Sequence, residues 1–153
     1  MSSDKAVSEL IYRSCLLLNE LNFAGYLELC ASEFRYRITA WSPELRKEML
    51  WHEVNREEME KHLGLIPMHV HDNALLSRYP TVYSIAYIGD GKSATAVTGL
   101  QLFRTKQDGG ESSLYGIGRY HDEIALESGI PRLLSREVRM TTRQLGTGSQ
   151  IPL

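Results

Sequence analysis

Residues 112–126 read "SSLYGIGRYHDEIAL", and they are followed by the turn signal "SGIP" at 128–131 and by a second β-rich run that begins at Arg132. In an extended strand, successive side chains point to opposite faces. Tyr120 and Asp122 therefore share one face, and His121 lies on the other. The stretch predicts two long antiparallel strands joined by a turn.

The same pattern extends through the second half of the chain. The runs "TVYSIAYIG" (81–89), "SATAVTGLQLFRT" (93–105) and "RLLSREVRMTTRQL" (132–145) are rich in β-forming residues. The segments GDGK at 89–92 and DGG at 108–110 supply turn chemistry between them. An antiparallel meander is expected. Strands of this length bend, and bulges or coiling are expected at three glycines, Gly99, Gly116 and Gly118.

Helices dominate the first part of the chain. Apolar residues recur at three- and four-residue spacing over 4–21, which predicts an amphipathic helix. A short helix follows at 23–30 with Asn22 as its cap. A third helix begins at Asn55, where Glu58 completes a capping box, and it ends near Leu65 because Pro67 prevents continuation.

Two strands separate the second and third helices. "EFRYRITAW" at 33–41 alternates with period two, so that Phe34 and Tyr36 share a face with Ile38, and residues 49–54 form a second, shorter strand. Helices first and a curved sheet afterwards predict an α+β fold in which the helices cover the concave face. The 153 residues fit a single domain over 1–153.

The bulk charge and the start of the chain exclude several classes of partner. Seventeen basic and 19 acidic residues give a formal charge of −2, which disfavours nucleic acid and anionic membranes as partners. No basic leader precedes the first helix, and its longest apolar run is 16–18. A cytoplasmic protein is expected. Cys15 and Cys30 lack the spacing of a zinc or iron–sulfur site, so they are expected to be reduced packing residues.

A helix-covered, curved sheet can enclose a conical pocket, so an isomerase or dehydratase site is one alternative. Acid–base chemistry of this kind needs a carboxylate or imidazole and a hydroxyl donor. Tyr36, His52 and Asp122 are the candidates for this role, with Tyr120 and His121 beside Asp122. The simpler interpretation treats Tyr36 as a core aromatic and Asp122 as an ion-pair partner, and it is favoured.

The segment "MHVHD" at 68–72 is the most metal-like in the chain. His69 and His71 would share a face in an extended segment, with Asp72 beside them and with His52 or His62 as a possible third ligand. A lone HxH motif is weak evidence, so metal binding is not favoured.

Arginines are dense in the last two strands, and the chain closes with an unusual tail. The arginines are Arg119, Arg132, Arg136, Arg139 and Arg143. One interpretation is a solvated face with cross-strand ion pairs, and the other is a protein interface. The tail "RQLGTGSQIPL" (143–153) carries Leu145, Ile151 and Leu153, so a packing partner is expected for it.

The segment "GRYHDEI…PRLLSREVRMTTRQLGTGSQIPL" resembles the beta (small) subunit of Rieske-type ring-hydroxylating oxygenases. Members of that family commonly carry a Gly-Arg-Tyr run and an Arg-x-Leu-Gly-x-Gly-Ser tail. The matching positions are Gly118, Arg119, Tyr120, Arg143, Leu145, Gly146, Gly148 and Ser149. The basic segment that commonly precedes the first long strand is reduced to Ser77 and Arg78.

The resemblance implies a cystatin-like cone of the nuclear-transport-factor-two type. It also implies a non-catalytic partner in aromatic compound catabolism, in an α3β3 assembly whose large (alpha) subunit holds the Rieske 2Fe–2S cluster and the mononuclear Fe(II). Monooxygenases of alkanesulfonates are similar. The residues then expected at subunit interfaces are Arg119, Tyr120, Arg139, Arg143, Leu145, Gly146, Gly148, Ser149, Pro152 and Leu153.

Overall fold

The computed structural model describes residues 3–69, 74–143 and 152–153, with the backbone alone at 66–69. Three helices and six strands follow one another along this part of the chain. In chain order they are α1 (Ser3–Asn19), α2 (Phe23–Glu28), β1 (Cys30–Ser42), β2 (Lys47–Asn55), α3 (Arg56–His69), β3 (Leu75–Ile88), β4 (Ser93–Thr105), β5 (Ser112–Ala125) and β6 (Arg132–Met140).

The six strands form one sheet in the order β2-β1-β6-β5-β4-β3. The predicted antiparallel meander is confirmed in β3 to β6. The first strand then returns alongside the last, because β1 pairs in parallel with β6, with Tyr36 opposite Arg136. The sequence did not predict this pairing. The predicted α+β cone is confirmed: the helices cover one face of a curved sheet, here called the inner face, and the opposite face is the outer face.

The core lies between the inner face and the three helices. Val7, Ile11 and Leu18 of α1 are fully buried, in line with the predicted apolar stripe. Phe34 and Tyr36 of β1 are buried beneath them, as the period-two alternation predicted. Within the described ranges, no helix is both long enough and apolar enough to cross a membrane.

The predicted helix starts are confirmed by their hydrogen bonds. The Asn22 side chain accepts a hydrogen bond from the Gly25 amide at 2.9 Å. Asn55 and Glu58 form the capping box. The Glu58 amide donates to the Asn55 side chain at 2.8 Å, and the Asn55 amide donates to the Glu58 side chain at 3.0 Å. The predicted end of α3 was wrong, because the helix continues past Pro67 to His69. A proline in a last turn removes a single backbone hydrogen bond, so the helix tolerates it there.

The strand bounds differ most from prediction in β3 and β6. Strand β3 begins at Leu75, six residues before the predicted start at Thr81, and it contains Pro80. Because β3 is an edge strand, a proline can face solvent on the side that has no neighbouring strand. Strand β6 ends at Met140, short of the predicted run to 145.

Of the three glycines, Gly99 and Gly118 allow a neighbouring group to approach the strand closely, whereas Gly116 lies at an irregularity of the sheet. Gly116 lies beside a register shift in the β4–β5 pair, as predicted. A Cβ atom at Gly99 would lie 2.2 Å from the Tyr83 hydroxyl, which crosses the outer face at this point. A Cβ atom at Gly118 would lie 2.6 Å from the Arg139 carbonyl oxygen.

Replacing Gly118 by alanine tests this backbone contact. Gly118→Ala is expected to lower the free energy of unfolding by about 1–3 kcal/mol, because the backbone oxygen of Arg139 cannot rotate away. Gly64→Ala is the matched control, since no atom lies within 4 Å of its Cβ position in α3, and it should stabilise by roughly 0.5–1 kcal/mol. Urea unfolding of both variants measures the difference. Equal midpoints for the Gly118→Ala variant and the unmodified chain would contradict the packing described here.

Candidate functional site

A buried ion pair lies at the centre of the inner face. Arg136 on β6 and Asp122 on β5 stand opposite each other and share two hydrogen bonds of 2.8 and 3.0 Å. Both side chains have no solvent exposure. The Arg136 guanidinium also donates to the Ser14 hydroxyl at 3.0 Å and lies 3.8 Å from the centre of the Tyr120 ring. Helix α1 and two strands are thereby joined through one cation.

The last described residues of the chain enter this interior. Leu153 is completely buried within the core of its own chain. Its amide donates to the Tyr36 hydroxyl at 2.9 Å, and its carbonyl oxygen accepts from the Tyr120 hydroxyl at 2.9 Å. The Pro152 carbonyl accepts a hydrogen bond from the Arg78 guanidinium. The two residues are therefore held by side chains from three strands.

Both tyrosines carry their protons at neutral pH. Burial raises the pKa of Tyr36 to about 12, against the opposing effect of its hydrogen bond with Leu153. Burial, together with the neighbouring Cys15 thiol, raises the pKa of Tyr120 well above its ordinary value. Tyr120 can thus donate to Leu153 as a neutral hydroxyl over the whole physiological range.

Arg78 is the second buried arginine of the interior and is only 2% exposed. Its guanidinium donates to the Asn19 side chain at 3.1 Å, and its backbone amide donates to the same oxygen at 2.9 Å. Asn19 is the last residue of α1, so these bonds fix the end of the helix against β3. The sequence did not single out Arg78 as an interior residue, because the predicted strand began after it. Its only signal was the retention of Ser77 and Arg78 from the basic segment of the family.

The acid–base candidates do not converge on an open space. Tyr36 bonds to Leu153, and both carboxylate oxygens of Asp122 bond to Arg136. His52 lies with its ring centre 6.3 Å from that of Tyr36 and stacks on His62 at 5.7 Å. Partial burial, with a further contribution from His62, lowers the pKa of His52. This arrangement gives the predicted isomerase or dehydratase site no support.

His121 lies on the outer face, opposite to Tyr120 and Asp122, as predicted from alternation. It borders a groove of about 490 Å³ between β1, β6, β5 and β4. The Arg37 guanidinium forms two ion pairs at this groove. One nitrogen lies 3.6 Å from a carboxylate oxygen of Glu137, and another lies 3.2 Å from a carboxylate oxygen of Glu48 on β2. Cross-strand ion pairs are therefore present on the outer face, but they involve Arg37 of β1 and not the arginines of β5 and β6 for which they were predicted. Of those arginines, Arg136 has a cross-strand pair with Asp122, and its charge points inward. Its position two residues before the buried Val138 was the available signal.

The outer face also exposes large apolar side chains between β3 and β5. Tyr79, Leu114 and Ile117 are 59%, 58% and 39% exposed. Tyr79 packs edge-to-face on Phe103 at 5.5 Å, and Tyr83 lies over Gly99 with 63% of its surface exposed. The five residues Tyr79, Tyr83, Phe103, Leu114 and Ile117 are called the outer aromatic patch.

Two arginines lie beside this patch in direct opposition. Arg119 on β5 pairs in register with Arg139 on β6. Arg139 is 53% exposed and bonds to Glu137, whereas Arg119 is exposed and has no ion pair with the residues that the structure describes. Like charges directly across two strands repel each other. Both arginines belong to the predicted interface set, and their contact with a partner stays a prediction.

Other members of the predicted interface set have different surroundings. Tyr120 and Leu153 lie in the interior of this chain, and Pro152 is buried with them. Their predicted contact with another subunit stays a prediction. Arg143 pairs with Glu44 at 2.6 Å. Leu145, Gly146, Gly148 and Ser149 lie outside the described residues.

The predicted metal-like segment also falls mostly outside the described residues. His71 and Asp72 lie outside the described residues, and only the backbone of His69 is described. The described part of the chain contains no group of three or more His, Cys, Asp and Glu residues that could hold a metal ion. Cys15 and Cys30 are free and buried, as predicted.

Comparisons with known proteins cover nearly the whole chain. It is 35% identical to the beta subunit of methanesulfonate monooxygenase hydroxylase from Methylosulfonomonas methylovora, over 97% of this chain and 86% of that relative. It is 32% identical to the beta subunit of 2-aminobenzenesulfonate 2,3-dioxygenase from Alcaligenes sp., over 97% of both. No model of a known protein family matches.

Solved structures show the same fold. The beta subunit assigned to an aromatic-ring-hydroxylating dioxygenase of Novosphingobium aromaticivorans superimposes with a TM-score of 0.83. The match covers 97% of this chain and 95% of that chain at 18% identity. At this identity the likeness concerns the fold.

Breaking the buried ion pair is expected to destabilise the chain strongly. Asp122→Ala should lower the free energy of unfolding by about 3–5 kcal/mol, because Arg136 would remain buried without its counter-charge. Glu44→Ala removes an exposed pair with Arg143 and should leave the urea midpoint unchanged. Equal midpoints for the two variants would show that the buried pair has no structural role.

Replacing the Leu153 side chain by alanine tests whether this residue is buried in the core. Leu153→Ala should lower the free energy of unfolding by about 2–5 kcal/mol, because it leaves a cavity in the core. Ile130→Ala serves as a control, since Ile130 is 61% exposed. Thermal or urea unfolding measures both. A Leu153→Ala variant as stable as the control would place Leu153 outside the core.

Proposed function

The chain belongs to the beta (small) subunits of Rieske-type aromatic-ring-hydroxylating dioxygenases, and from this premise we propose that it stabilises the catalytic large subunits of an oxygenase without performing chemistry itself. The observation that carries the proposal is the interior position of Leu153, bonded to Tyr36 and Tyr120. A conical fold that acts on a substrate needs interior space beside its acid–base groups. Here the chain's own residue occupies that space.

The cofactors of the proposed complex are a Rieske 2Fe–2S cluster and a mononuclear Fe(II), and we assign both to the large subunit. A Rieske cluster needs two thiolates and two imidazoles on adjacent irons. The only two thiols are engaged apart from each other, because Cys15 of α1 donates to the Tyr120 hydroxyl and Cys30 of β1 donates to the Tyr26 carbonyl. Burial also raises the pKa of Cys30 to about 12, which disfavours the thiolate. The residues of this chain do not fit the cluster.

The outer face is the surface proposed to contact the partners. The outer aromatic patch presents exposed tyrosines, a residue type that contributes strongly to protein interfaces. The opposed Arg119 and Arg139 lie next to the patch. Among the described residues, Arg139 pairs with Glu137 and Arg119 has no ion pair. A carboxylate on a partner would relieve their repulsion and add charge-assisted hydrogen bonds.

The names of the curated relatives support a proposal about the substrate class. One relative is named for methanesulfonate and the other for 2-aminobenzenesulfonate, so both names contain a sulfonate. We propose a sulfonated compound, alkyl or aryl, as the substrate of the complex, bound by the large subunit. The α3β3 stoichiometry and the cytoplasmic location are part of the same proposal, and the family resemblance supports them.

Introducing a negative charge into the patch tests the proposed contact surface. In a strain that also expresses the large subunit, Ile117→Glu should weaken association about 30-fold or more, because a carboxylate would be buried in an apolar contact. Size-exclusion chromatography with iron analysis of the fractions measures the complex. Ile130→Glu, at an isoleucine that is 61% exposed and lies away from the patch, is the control and should assemble normally.

Thermal unfolding of each isolated chain shows whether the variants are folded. A folded Ile117→Glu chain that still elutes with iron, as the unmodified chain does, would exclude the patch as the contact surface. Turnover of a sulfonate by the isolated chain would contradict the non-catalytic role itself.

A further inference from the structure

The polar groove on the outer face has unlike charges at its two ends. Arg119, His121 and Glu123 follow one another along this face of β5. A strand rises about 3.3 Å per residue, so Arg119 and Glu123 lie roughly 13 Å apart along β5. We propose that the groove receives a segment of the large subunit that carries an acidic group and a basic group at this spacing, with the acid at Arg119. The proposal rests on the function and the contact surface proposed above.

The anionic end of the groove is Glu123. Its side chain is half-buried and has no hydrogen bond or ion pair with the residues that the structure describes. Across the strands it stands between Thr95 of β4 and Ser135 of β6, which are uncharged. Arg35, the next residue in this row, directs its guanidinium toward Glu53 at 3.9 Å. A carboxylate that is partly removed from water without a counter-charge favours a cation in the groove.

The cationic end is formed by Arg119 and Arg139, which stand opposite each other in register. Of the two, only Arg139 has an acidic partner in the described part of the chain, Glu137. On its other side Arg119 stands opposite Gly99 of β4, over which the exposed Tyr83 lies. The cationic end is therefore continuous with the outer aromatic patch. A segment that fits must present its acidic group beside its apolar contact, and its basic group farther along β5.

The middle of the groove supplies no free charge. Burial lowers the pKa of His121, and the positive charges of Arg139 and Arg119 lower it further against the opposing effect of Glu137, so the imidazole is uncharged at pH 7. Glu137, which stands opposite His121, is itself engaged by the Arg37 guanidinium at 3.6 Å. A neutral stretch thus separates the two charged ends.

This order of charges gives the groove a direction. A segment that places its acidic group at Arg119 and its basic group at Glu123 gains an opposite charge at both ends. A segment with its charges in the reverse order brings like charges together at both ends and is rejected. The groove therefore fixes the orientation of the bound segment, whereas the outer aromatic patch supplies apolar contact without direction.

Exchanging the two end charges tests this direction. The double variant Arg119→Glu/Glu123→Arg keeps the net charge of the chain and reverses the order of charges along β5. In a strain that also expresses the large subunit, each single reversal should weaken association about tenfold, because one end then repels the segment. The double variant should weaken it about 100-fold, since effects at well-separated sites add. Size-exclusion chromatography at several protein concentrations, with iron analysis of the fractions, measures association.

The same exchange at the first helix is the matched control. Arg13 of α1 and Glu20, which directly follows α1, are both exposed. The Arg13→Glu/Glu20→Arg variant should assemble like the unmodified chain. Thermal unfolding of each isolated chain identifies the folded variants. If a reversal in the groove prevents folding, Arg119→Gln and Glu123→Gln replace it, and each should weaken association about threefold or more.

Normal association of the folded exchange variant, or equal weakening by the control at α1, would overturn the proposal. Weakening by Arg119→Glu without any effect of Glu123→Arg would also overturn it, because only the cationic end would then be in contact. A dimer of the isolated chain that each single reversal dissociates would assign the groove to a second copy instead.

The Ile117→Glu variant separates this inference from the proposed function. If Ile117→Glu fails to assemble and the exchange variant assembles normally, the outer face is the contact surface and the groove does not select the charges of the segment. If both variants assemble normally while folded, the contact surface itself is wrong.

Discussion

The ion pair between Arg136 and Asp122 is the constraint on which the interior depends. Two charges without solvent contact are tolerated only when each hydrogen bond is supplied by the protein. Asp122 supplies two acceptors and Ser14 a third, so α1, β5 and β6 must keep one relative position. The guanidinium lies against the ring of Tyr120, whose hydroxyl then bonds to Leu153. The packing of the tail thus follows from the position of one cation.

This arrangement gives the two faces of the sheet different uses. The inner face is filled by the helices and by Leu153, and its tyrosines and arginines are engaged within the chain. The outer face carries exposed tyrosines and two opposed arginines, a combination that is unfavourable for a solvated surface and favourable for an interface. Membership of a family of small oxygenase subunits agrees with such a division, since a subunit that supports a catalytic neighbour needs a contact surface rather than a pocket.

Local patterns in the sequence were sufficient for much of this fold. Alternation identified the buried face of β1 and put His121 opposite to Asp122, and the Asn55–Glu58 spacing located the start of α3. The parallel pairing of β1 with β6 was not predicted, because no local signal links strands about 100 residues apart. Arg136 was grouped with the surface arginines because it is charged. Its position two residues before the buried Val138, on the same face of the strand, indicated burial instead.

The tail was partly predicted. The apolar residues of 143–153 indicated that it packs against something, but burial against the same chain depends on Tyr36 and Tyr120 meeting across distant strands. The sequence could not show which polypeptide would receive it. The burial of Arg78 was not predicted, because the strand was predicted to begin only after Pro80, whereas β3 already begins at Leu75.

Hydroxyl-radical footprinting of the chain, alone and in complex with its large subunit, tests the account most directly, because it reports side-chain exposure residue by residue. Tyr36 and Tyr120 should resist oxidation in both states, because they are buried. Tyr79 and Tyr83 should be oxidised in the isolated chain and protected in the complex. Oxidation of Tyr36 or Tyr120, or unchanged oxidation of Tyr79 and Tyr83 on assembly, would contradict it.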